Sequence, residues 1–257
     1  MKYKIICHRG INRLNENTFE DITKVIYLKN DYIIYGVEFD IQITNDNYII
    51  CYHDDTLKRI HKHDKRIYDL TIDDINKFNL PSFNKIIEYL SQNKNLIIDI
   101  ELKIYPPYDI NKLKFFCTET VEICKKYNIV NQCIFTSFED KIIEELLNLY
   151  KDIKIGLISD KNCDMTKFIE FKKLGLTHFI IHKDSILDII NLHNILLIDT
   201  DIWIYTLFNI EHKEDKEKDI ELINKLKFKN YGLITDDHNK TYEILLNVNK
   251  QIVENFF

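Results

Sequence analysis

The chain has 257 residues, of which 45% are hydrophobic and 30% are charged. This length is typical of one large domain or two small ones, and the composition excludes a collagen-like or mostly disordered chain. No apolar run reaches the roughly 18 residues of a transmembrane helix, and the apolar part of the N-terminus is too short for a signal peptide. The net charge of −6 argues against a nucleic-acid-binding protein.

The six cysteines form no CxxC pair. Free cysteines are usually small buried core residues, and we expect all six to be reduced thiols of a protein in a reducing compartment. Together with the missing signal peptide, this predicts a cytoplasmic location.

Short apolar runs alternate with longer helical patterns along the chain. The predicted strands are, in order, Tyr3–Cys7, Gly36–Ile43, Leu96–Leu102, Gln132–Thr136, Ile153–Ile158, His178–Ile181, Asp201–Leu207 and Tyr231–Thr235. The predicted helices lie near 18–29, 84–92, 111–127, 139–149, 165–173, 185–193, 215–227 and 240–250. Eight such repeats predict an α/β fold, the (β/α)₈ barrel. A doubly wound open sheet is the alternative, although the G-x-G-x-x-G motif of its common dinucleotide-binding form is absent.

Two connections carry local structural signals. Thr18–Asp21 resembles the capping-box start of the first helix, and Thr44–Asn47 predicts a tight turn that joins the second strand to Tyr48–Tyr52. Residues 54–81 are irregular and polar. We therefore expect a single domain over residues 1–257, with a small insertion after the second strand that lies over one end of the barrel.

Carboxylates cluster on two of the predicted strands. Side chains alternate along a strand, so Glu38 and Asp40 share one face, and Asp99, Glu101 and Lys103 share a face of the next barrel strand. Buried carboxylates need cations to offset their desolvation, and Lys103 supplies only one positive charge. Because oxygen ligands favour a hard ion, we expect one divalent cation, Mg²⁺ or Ca²⁺, with a salt-bridged barrel rim as the alternative.

Two histidines and an arginine flank these carboxylates. His8 ends the first strand and is followed by Arg9, while His53 precedes Asp54. Active sites of such barrels lie at the ends of the strands. Histidine is the usual general acid or base near neutral pH, and arginine can clamp a phosphate with two hydrogen bonds. With the metal, these residues predict hydrolysis of a phosphoryl substrate.

Seven short motifs run in order along the chain through and around these residues. They are His8-Arg9-Gly10 with Glu16-Asn17-Thr18, Glu38-Phe39-Asp40, His53-Asp54 with Thr56-Leu57-Lys58-Arg59, Asp69-Leu70-Thr71 with Leu80-Pro81, Ile100-Glu101-Leu102-Lys103, Tyr205-Thr206-Leu207, and Gly232-Leu233-Ile234-Thr235-Asp236. The series resembles the motifs of the glycerophosphodiester phosphodiesterase family over essentially the whole chain. Each motif alone is weak evidence, but the ordered series is a strong signal.

The resemblance implies a TIM barrel with two catalytic histidines, three metal-binding carboxylates and two phosphate-binding cations. The catalytic histidines would be His8 and His53, and the metal-binding carboxylates would be Glu38, Asp40 and Glu101. The phosphate-binding cations would be Arg9 and Lys103. The residues expected to line the substrate or to support the site are Glu16, Asn17, Asp54, Asp99, Trp203 and Tyr205.

The chain departs from the family pattern at three positions. Asn15 stands where proline is common, Asp99 where asparagine is common, and Tyr205 where tryptophan is usual. Trp203 would share the inward face of its strand with Tyr205. None of these departures removes a matched catalytic position, so they bear on substrate preference more than on activity.

The activity that the resemblance implies is metal-dependent hydrolysis of a small glycerophosphodiester to sn-glycerol 3-phosphate and an alcohol. Either histidine fits the role of acid or base, and either water or a substrate hydroxyl fits as the nucleophile. One alternative is a lipid phosphodiesterase resembling lysophospholipase D and sphingomyelinase D, which leaves transient membrane contact open. The other is a barrel that binds a phosphodiester or a metal without turnover.

Overall fold

The computed structural model describes residues 3–28, 33–162, 164–186, 200–209, 216–225 and 231–254. Within these ranges the chain forms nine strands. They are β1 (Tyr3–His8), β2 (Ile33–Ile43), β3 (Ile49–Cys51), β4 (Ile97–Leu102), β5 (Cys133–Ser137), β6 (Lys154–Ser159), β7 (His178–His182), β8 (Asp201–Leu207) and β9 (Gly232–Thr235). All eight predicted barrel strands are therefore confirmed, and the short β3 lies within the Tyr48–Tyr52 segment that follows the predicted turn.

The described helices connect these strands. They are α1 (Phe19–Thr23), α2 (Lys58–His61), α3 (Ile72–Phe78), α4 (Phe83–Leu90), α5 (Ile110–Lys126), α6 (Asp140–Leu149), α7 (Met165–Leu174), α8 (Lys216–Lys225) and α9 (His238–Glu254). The first predicted helix is shorter than expected, because a 3-10 helix over Lys24–Tyr27 follows α1. The helix predicted near 185–193 lies largely outside the described residues. Among the helices described, none is long and apolar enough to cross a membrane.

The parallel strands close into a barrel. β1 pairs with β2, where His8 lies beside Glu38, and with β9, where Cys7 lies beside Thr235. The remaining parallel strands follow one another around the sheet from β2 through β4 to β9. Helices of the described residues surround the strands, and the predicted (β/α)₈ TIM barrel is confirmed.

The apolar residues form two layers around the barrel wall. Val37, Phe39 and Ile41 of β2 point outward and are fully buried in the large core under the helices. A smaller cluster fills the barrel interior and consists of Ile6, Ile134, Ile158, Ile180, Trp203 and Ile234. The inward positions beyond this cluster, toward the carboxyl ends of the strands, carry the polar side chains of the site.

The insertion after β2 has its own core. β3 returns antiparallel to β2 after a turn in which Asn47 has a φ of 68°, as the Thr44–Asn47 pattern predicted. Residues 54–81 then contain two short helices, α2 and α3, between irregular stretches, so the segment is more regular than expected. The apolar residues of this segment pack with Ile50 and Tyr52 of the β3 region into a separate cluster, to which the segment contributes Leu57, Ile67, Leu70, Ile75 and Leu80.

The described cysteines fit the expectation of reduced thiols. Cys7, Cys51, Cys117, Cys124 and Cys133 are all buried and unpaired by disulfides. Burial raises the pKa of the Cys117 thiol to about 12 and keeps it uncharged. Cys163 lies outside the described residues.

Candidate active site

Three carboxylates of β2 and β4 meet at the barrel mouth. The parallel register places Asp40 beside Glu101 and Glu38 beside Asp99. Ligand oxygens of Glu38, Asp40 and Glu101 all lie within 4.8 Å of one another. Glu38 Oε1 is buried and has no hydrogen-bond partner, whereas Asp40 Oδ1 and Glu101 Oε1 are buried and face only Lys103. Such a set of buried oxygens suits a hard divalent cation.

The cluster carries more negative charge than its neighbours offset. Lys103 Nζ lies 3.0 Å from Asp40 Oδ1 and 3.1 Å from Glu101 Oε1. Although burial opposes ionisation, Lys103 and Arg9 hold the pKa of Asp40 well below its usual range. Burial and the nearby Asp40 and Glu101 instead raise the pKa of Glu38 well above its usual range. A further cation would stabilise Glu38 in its ionised form.

The loop after β1 is tied to the same carboxylates. The Arg9 backbone N–H donates to Glu38 Oε2 at 3.0 Å, and Arg9 Nε lies 3.2 Å from Asp40 Oδ2. Asn17 brackets Asp40, since its Nδ2 donates to Asp40 Oδ2 at 2.8 Å and its Oδ1 accepts from the Asp40 N–H at 3.0 Å. Arg9, Gly10 and Asn17 have φ values of 58°, 107° and 57°. This left-handed backbone turns the loop back over the cluster.

His8 lies between the carboxylate cluster and the end of β9. Its Nδ1 is 2.5 Å from Asp236 Oδ1, and its Nε2 is 3.9 Å from Glu38 Oε2. Burial and the adjacent Arg9 lower the pKa of His8 to about 4, although Asp236 opposes this change. The imidazole is therefore neutral near pH 7. A neutral ring that donates from Nδ1 to Asp236 presents its unprotonated Nε2 to the site.

His53 follows β3 and, like His8, is oriented by a carboxylate at its Nδ1. Its Nδ1 lies 2.7 Å from Asp54 Oδ1, and its backbone carbonyl accepts a hydrogen bond from the Tyr105 hydroxyl at 3.0 Å. Arg59 Nε donates to Asp54 Oδ2 at 2.6 Å. Despite partial burial, His53 and Arg59 hold the pKa of Asp54 well below its usual range. An ionised Asp54 fixes the ring of His53 through Nδ1.

A chain of ion pairs links the two histidines. Glu16 accepts hydrogen bonds from Arg9, Arg13 and Arg59, and Arg59 also holds Asp54. At the other end, Arg13 Nε lies 3.6 Å from Asp236 Oδ1. Glu16 and Asp54 were expected to support the site.

Arg13 and Asp236 were missed as supporting residues in the sequence. Asp236 had a visible signal, because it ends the last strand motif and so lies at the carboxyl end of a barrel strand. Arg13 had a weaker one, as one of the few arginines in a lysine-rich chain.

Asp99 lies below the metal-binding candidates. Its side chain is buried, and its Oδ1 accepts a hydrogen bond from Thr136 Oγ1 at 2.7 Å. Burial raises the pKa of Asp99 to about 8. The three carboxylates whose oxygens converge within 4.8 Å do not include Asp99, and its charge, next to Glu38 in the register, adds to the rise in the pKa of Glu38.

Tyr205 and Trp203 both point into the barrel, but at different depths. Trp203 is 1% exposed and belongs to the inner apolar cluster, where it packs edge-on against His178. That depth suits support of the site rather than a wall against the substrate. Tyr205 lies above it, donates a hydrogen bond to the Ser159 carbonyl at 2.9 Å, and contacts the rings of Phe138 and His182. Phe138 and His182 were not singled out in the sequence.

This barrel and its site correspond to a known family. The model of the glycerophosphoryl diester phosphodiesterase family matches residues 8–191, which is well over half of the chain. The chain belongs to this family. Its members are phosphoric diester hydrolases, and the resemblance inferred from the motifs is confirmed. The match begins at His8 and includes every metal-binding candidate.

Individual relatives agree with this assignment. A glycerophosphodiester phosphodiesterase of Caldanaerobacter subterraneus is 24% identical over 176 residues, which are 62% of this chain and 67% of the relative. The crystal structure of a glycerophosphodiester phosphodiesterase from Parabacteroides distasonis has a TM-score of 0.76 at 18% identity and covers 96% of this chain and 98% of its own. An Oleispira antarctica phosphodiesterase, solved with the product sn-glycerol-3-phosphate, has a TM-score of 0.75 at 19% identity, with coverage of 94% and 96%.

Proposed function

We propose that the protein is a metal-dependent glycerophosphodiester phosphodiesterase that uses His8 and His53 as general acid and base. The observation that carries the proposal is the convergence of buried carboxylate oxygens of Glu38, Asp40 and Glu101 within 4.8 Å, where Lys103 offsets only one negative charge. The two histidines beside them are each anchored to a carboxylate through Nδ1. The product bound to the Oleispira antarctica relative supports a glycerophosphodiester as the substrate.

Glu38, Asp40 and Glu101 would hold one divalent cation, Mg²⁺ or Ca²⁺, through oxygen ligands alone. Bound there, such a cation neutralises charge on a phosphate oxygen. Arg9 and Lys103 already lie within 3.2 Å of Asp40. Their positive charge is therefore at the cluster edge, where it stabilises the other phosphate oxygens as negative charge grows in the transition state.

The histidines divide the proton transfers between them. We assign the base to His8, because burial and Arg9 keep its imidazole neutral. Its Nε2 accepts the proton of the attacking hydroxyl group, which belongs to water or to the substrate. His53, held by the ionised Asp54, donates a proton from Nε2 to the departing alkoxide. Because this scheme needs one neutral and one protonated imidazole, it predicts a bell-shaped dependence of kcat/KM on pH.

The test is release of sn-glycerol 3-phosphate from glycerophosphocholine by metal-stripped protein resupplied with Mg²⁺ or Ca²⁺, beside a His8→Ala variant. Release that requires the cation and is lost in the variant supports the proposal. A pH–rate profile that is flat across neutral pH overturns the two-histidine scheme. Cleavage of lysophospholipids in place of glycerophosphocholine supports the lipid alternative, and cation binding without turnover of either supports a non-catalytic barrel.

Two further predictions concern the whole chain. A single domain over residues 1–257 agrees with the alternation of strands and helices along the chain. A cytoplasmic location agrees with the five buried free cysteines.

A further inference from the structure

Three aromatic rings form a wall at the barrel mouth. We define this aromatic wall as Phe138, His182 and Tyr205. The Phe138 and Tyr205 ring centroids are 5.9 Å apart with an angle of 86° between the rings. His182 and Tyr205 are 5.3 Å apart at 89°. Because both neighbours stand perpendicular to Tyr205, the wall offers both ring faces and ring edges.

The aromatic wall adjoins the carboxylate cluster. The Tyr205 hydroxyl is fixed by its hydrogen bond to the Ser159 carbonyl and is close enough to Glu101 and Lys103 for their charges to act on it. The three rings come from β8, the end of β7 and the residue after β5, across the mouth from β1 and β2. A phosphodiester held at Arg9 and Lys103 would therefore direct one of its substituents toward these rings.

Carboxylates border the aromatic wall. Asp160 acts on both Tyr205 and His182, and Asp184 Oδ2 lies 3.6 Å from His182 Nδ1. Lys161 offsets part of this charge through its ion pair with Asp184 at 2.9 Å. Ring faces bordered by carboxylates favour a cation.

We propose that the aromatic wall binds the quaternary-ammonium head group of a choline phosphodiester, an inference that rests on the proposed function. A trimethylammonium group has no N–H to donate to a carboxylate, so it gains most from ring faces with acidic groups nearby. Phe138 is 42% exposed, which leaves its ring open to a ligand. The site is thus complementary to a zwitterionic substrate, with cationic side chains near the phosphate and aromatic rings near the ammonium group.

The test compares kcat/KM for glycerophosphocholine and glycerophosphoglycerol, which differ in the head group alone. The wild type is expected to prefer glycerophosphocholine by about fivefold, and Phe138→Leu is expected to reduce that ratio by about threefold. Phe115→Leu is the matched control, because Phe115 on α5 is 41% exposed and lies outside the mouth. Equal rates on the two substrates, or a ratio that Phe138→Leu does not change, overturn the proposal.

Two further arms separate this inference from the proposed function. The first measures the same kcat/KM ratio for lysophosphatidylcholine and lysophosphatidylglycerol, which shows whether the choline group is part of a water-soluble diester or of a lipid. A choline preference that Phe138→Leu reduces, in either pair of substrates, supports the aromatic wall. If neither series is cleaved, the proposed function fails, and calorimetric binding of tetramethylammonium still tests the wall. Weaker binding to Phe138→Leu than to wild type supports it, and equal or absent binding overturns it.

Discussion

His8 at the end of β1 and Asp236 just after β9 are joined by a 2.5 Å hydrogen bond where the first and last strands of the barrel meet. The bond therefore depends on barrel closure. Asp236 also lies 3.6 Å from Arg13 Nε, which offsets its buried charge. One carboxylate thus orients the imidazole and is itself held by a residue of the loop that follows β1.

We expect Asp236→Asn to reduce kcat by about 10²- to 10⁴-fold with little change in KM. An asparagine amide can donate to Nδ1 and so stabilise the tautomer that leaves no acceptor at Nε2. Steady-state kinetics on glycerophosphocholine measure the effect. Asp237→Asn is the matched control, since Asp237 Oδ1 accepts from the Lys240 N–H at the start of α9 and asparagine caps helices equally well. Activity within threefold of wild type in Asp236→Asn would contradict the orienting role.

Cation binding is expected to release protons. Burial raises the pKa of both Glu38 and Glu101, so part of the cluster is protonated before the cation binds, whereas ligands must be ionised. Calorimetric titration with Mg²⁺ or Ca²⁺ in two buffers of different ionisation enthalpy measures the released protons. Affinity should rise with pH.

Removing one ligand should weaken this binding. We expect Glu38→Gln to reduce cation affinity by about 100-fold or more, because a carboxylate ligand and its charge are lost. Asp55→Asn, which affects an ion pair with Arg66 in the insertion, is the control. Equal affinity in both variants would place the cation elsewhere.

His178 is expected to make the fold sensitive to acid. It is buried at the amino-terminal end of β7, and burial lowers the pKa of His178 from 6.5 to about 4. Between these values the unfolded chain binds more protons than the folded one, so this contribution to stability is complete above about pH 6.5 and is lost as pH falls toward 4. His178→Gln should reduce the loss of unfolding free energy between pH 7 and pH 5 by about 2 kcal/mol. Chemical denaturation measures it, with the exposed His63→Gln as the control.

Substitutions at Gly10 and Gly175 allow the cost of backbone strain to be distinguished from the cost of side-chain crowding. Both have positive φ, 107° and 113°, which disfavours any side chain. A Cβ on Gly10 would also lie 2.7 Å from Asp21 Oδ2, whereas one on Gly175 meets only Leu147 at 4.0 Å. We expect Gly175→Ala to cost about 1 kcal/mol of unfolding free energy and Gly10→Ala about 2–3 kcal/mol. Equal losses in denaturant titrations would show that crowding at Gly10 is relieved.

The sequence predicts most of the barrel because its strands carry a strict alternation. In β2, Val37 and Phe39 face the helices while Glu38 and Asp40 face inward, and this assignment follows from strand geometry alone. The same rule places Glu101 on the inward face of β4. These local patterns were enough to identify the carboxylate cluster.

Other features depend on contacts between distant segments. Asp236 meets His8 across 228 positions of the chain, and no local pattern links Asp236 to Arg13. The depth of Trp203 in the barrel also depends on tertiary packing. The alternation of side chains along a strand gives the face on which a residue lies but not its level within the barrel. The helices of the insertion are short, which leaves little periodicity for a pattern to detect.

Because residues 54–81 pack in an apolar cluster of their own, the site can open at a lower free energy than the barrel unfolds. This segment carries Asp54 and Arg59, which hold His53 in place, yet its buried residues form a cluster distinct from the barrel cores. Small cooperative units of this kind open at lower free energy than the whole domain. Mild denaturant should therefore abolish catalysis while the barrel remains intact, and amide hydrogen exchange should be faster in the segment that holds His53 in place than in the barrel strands.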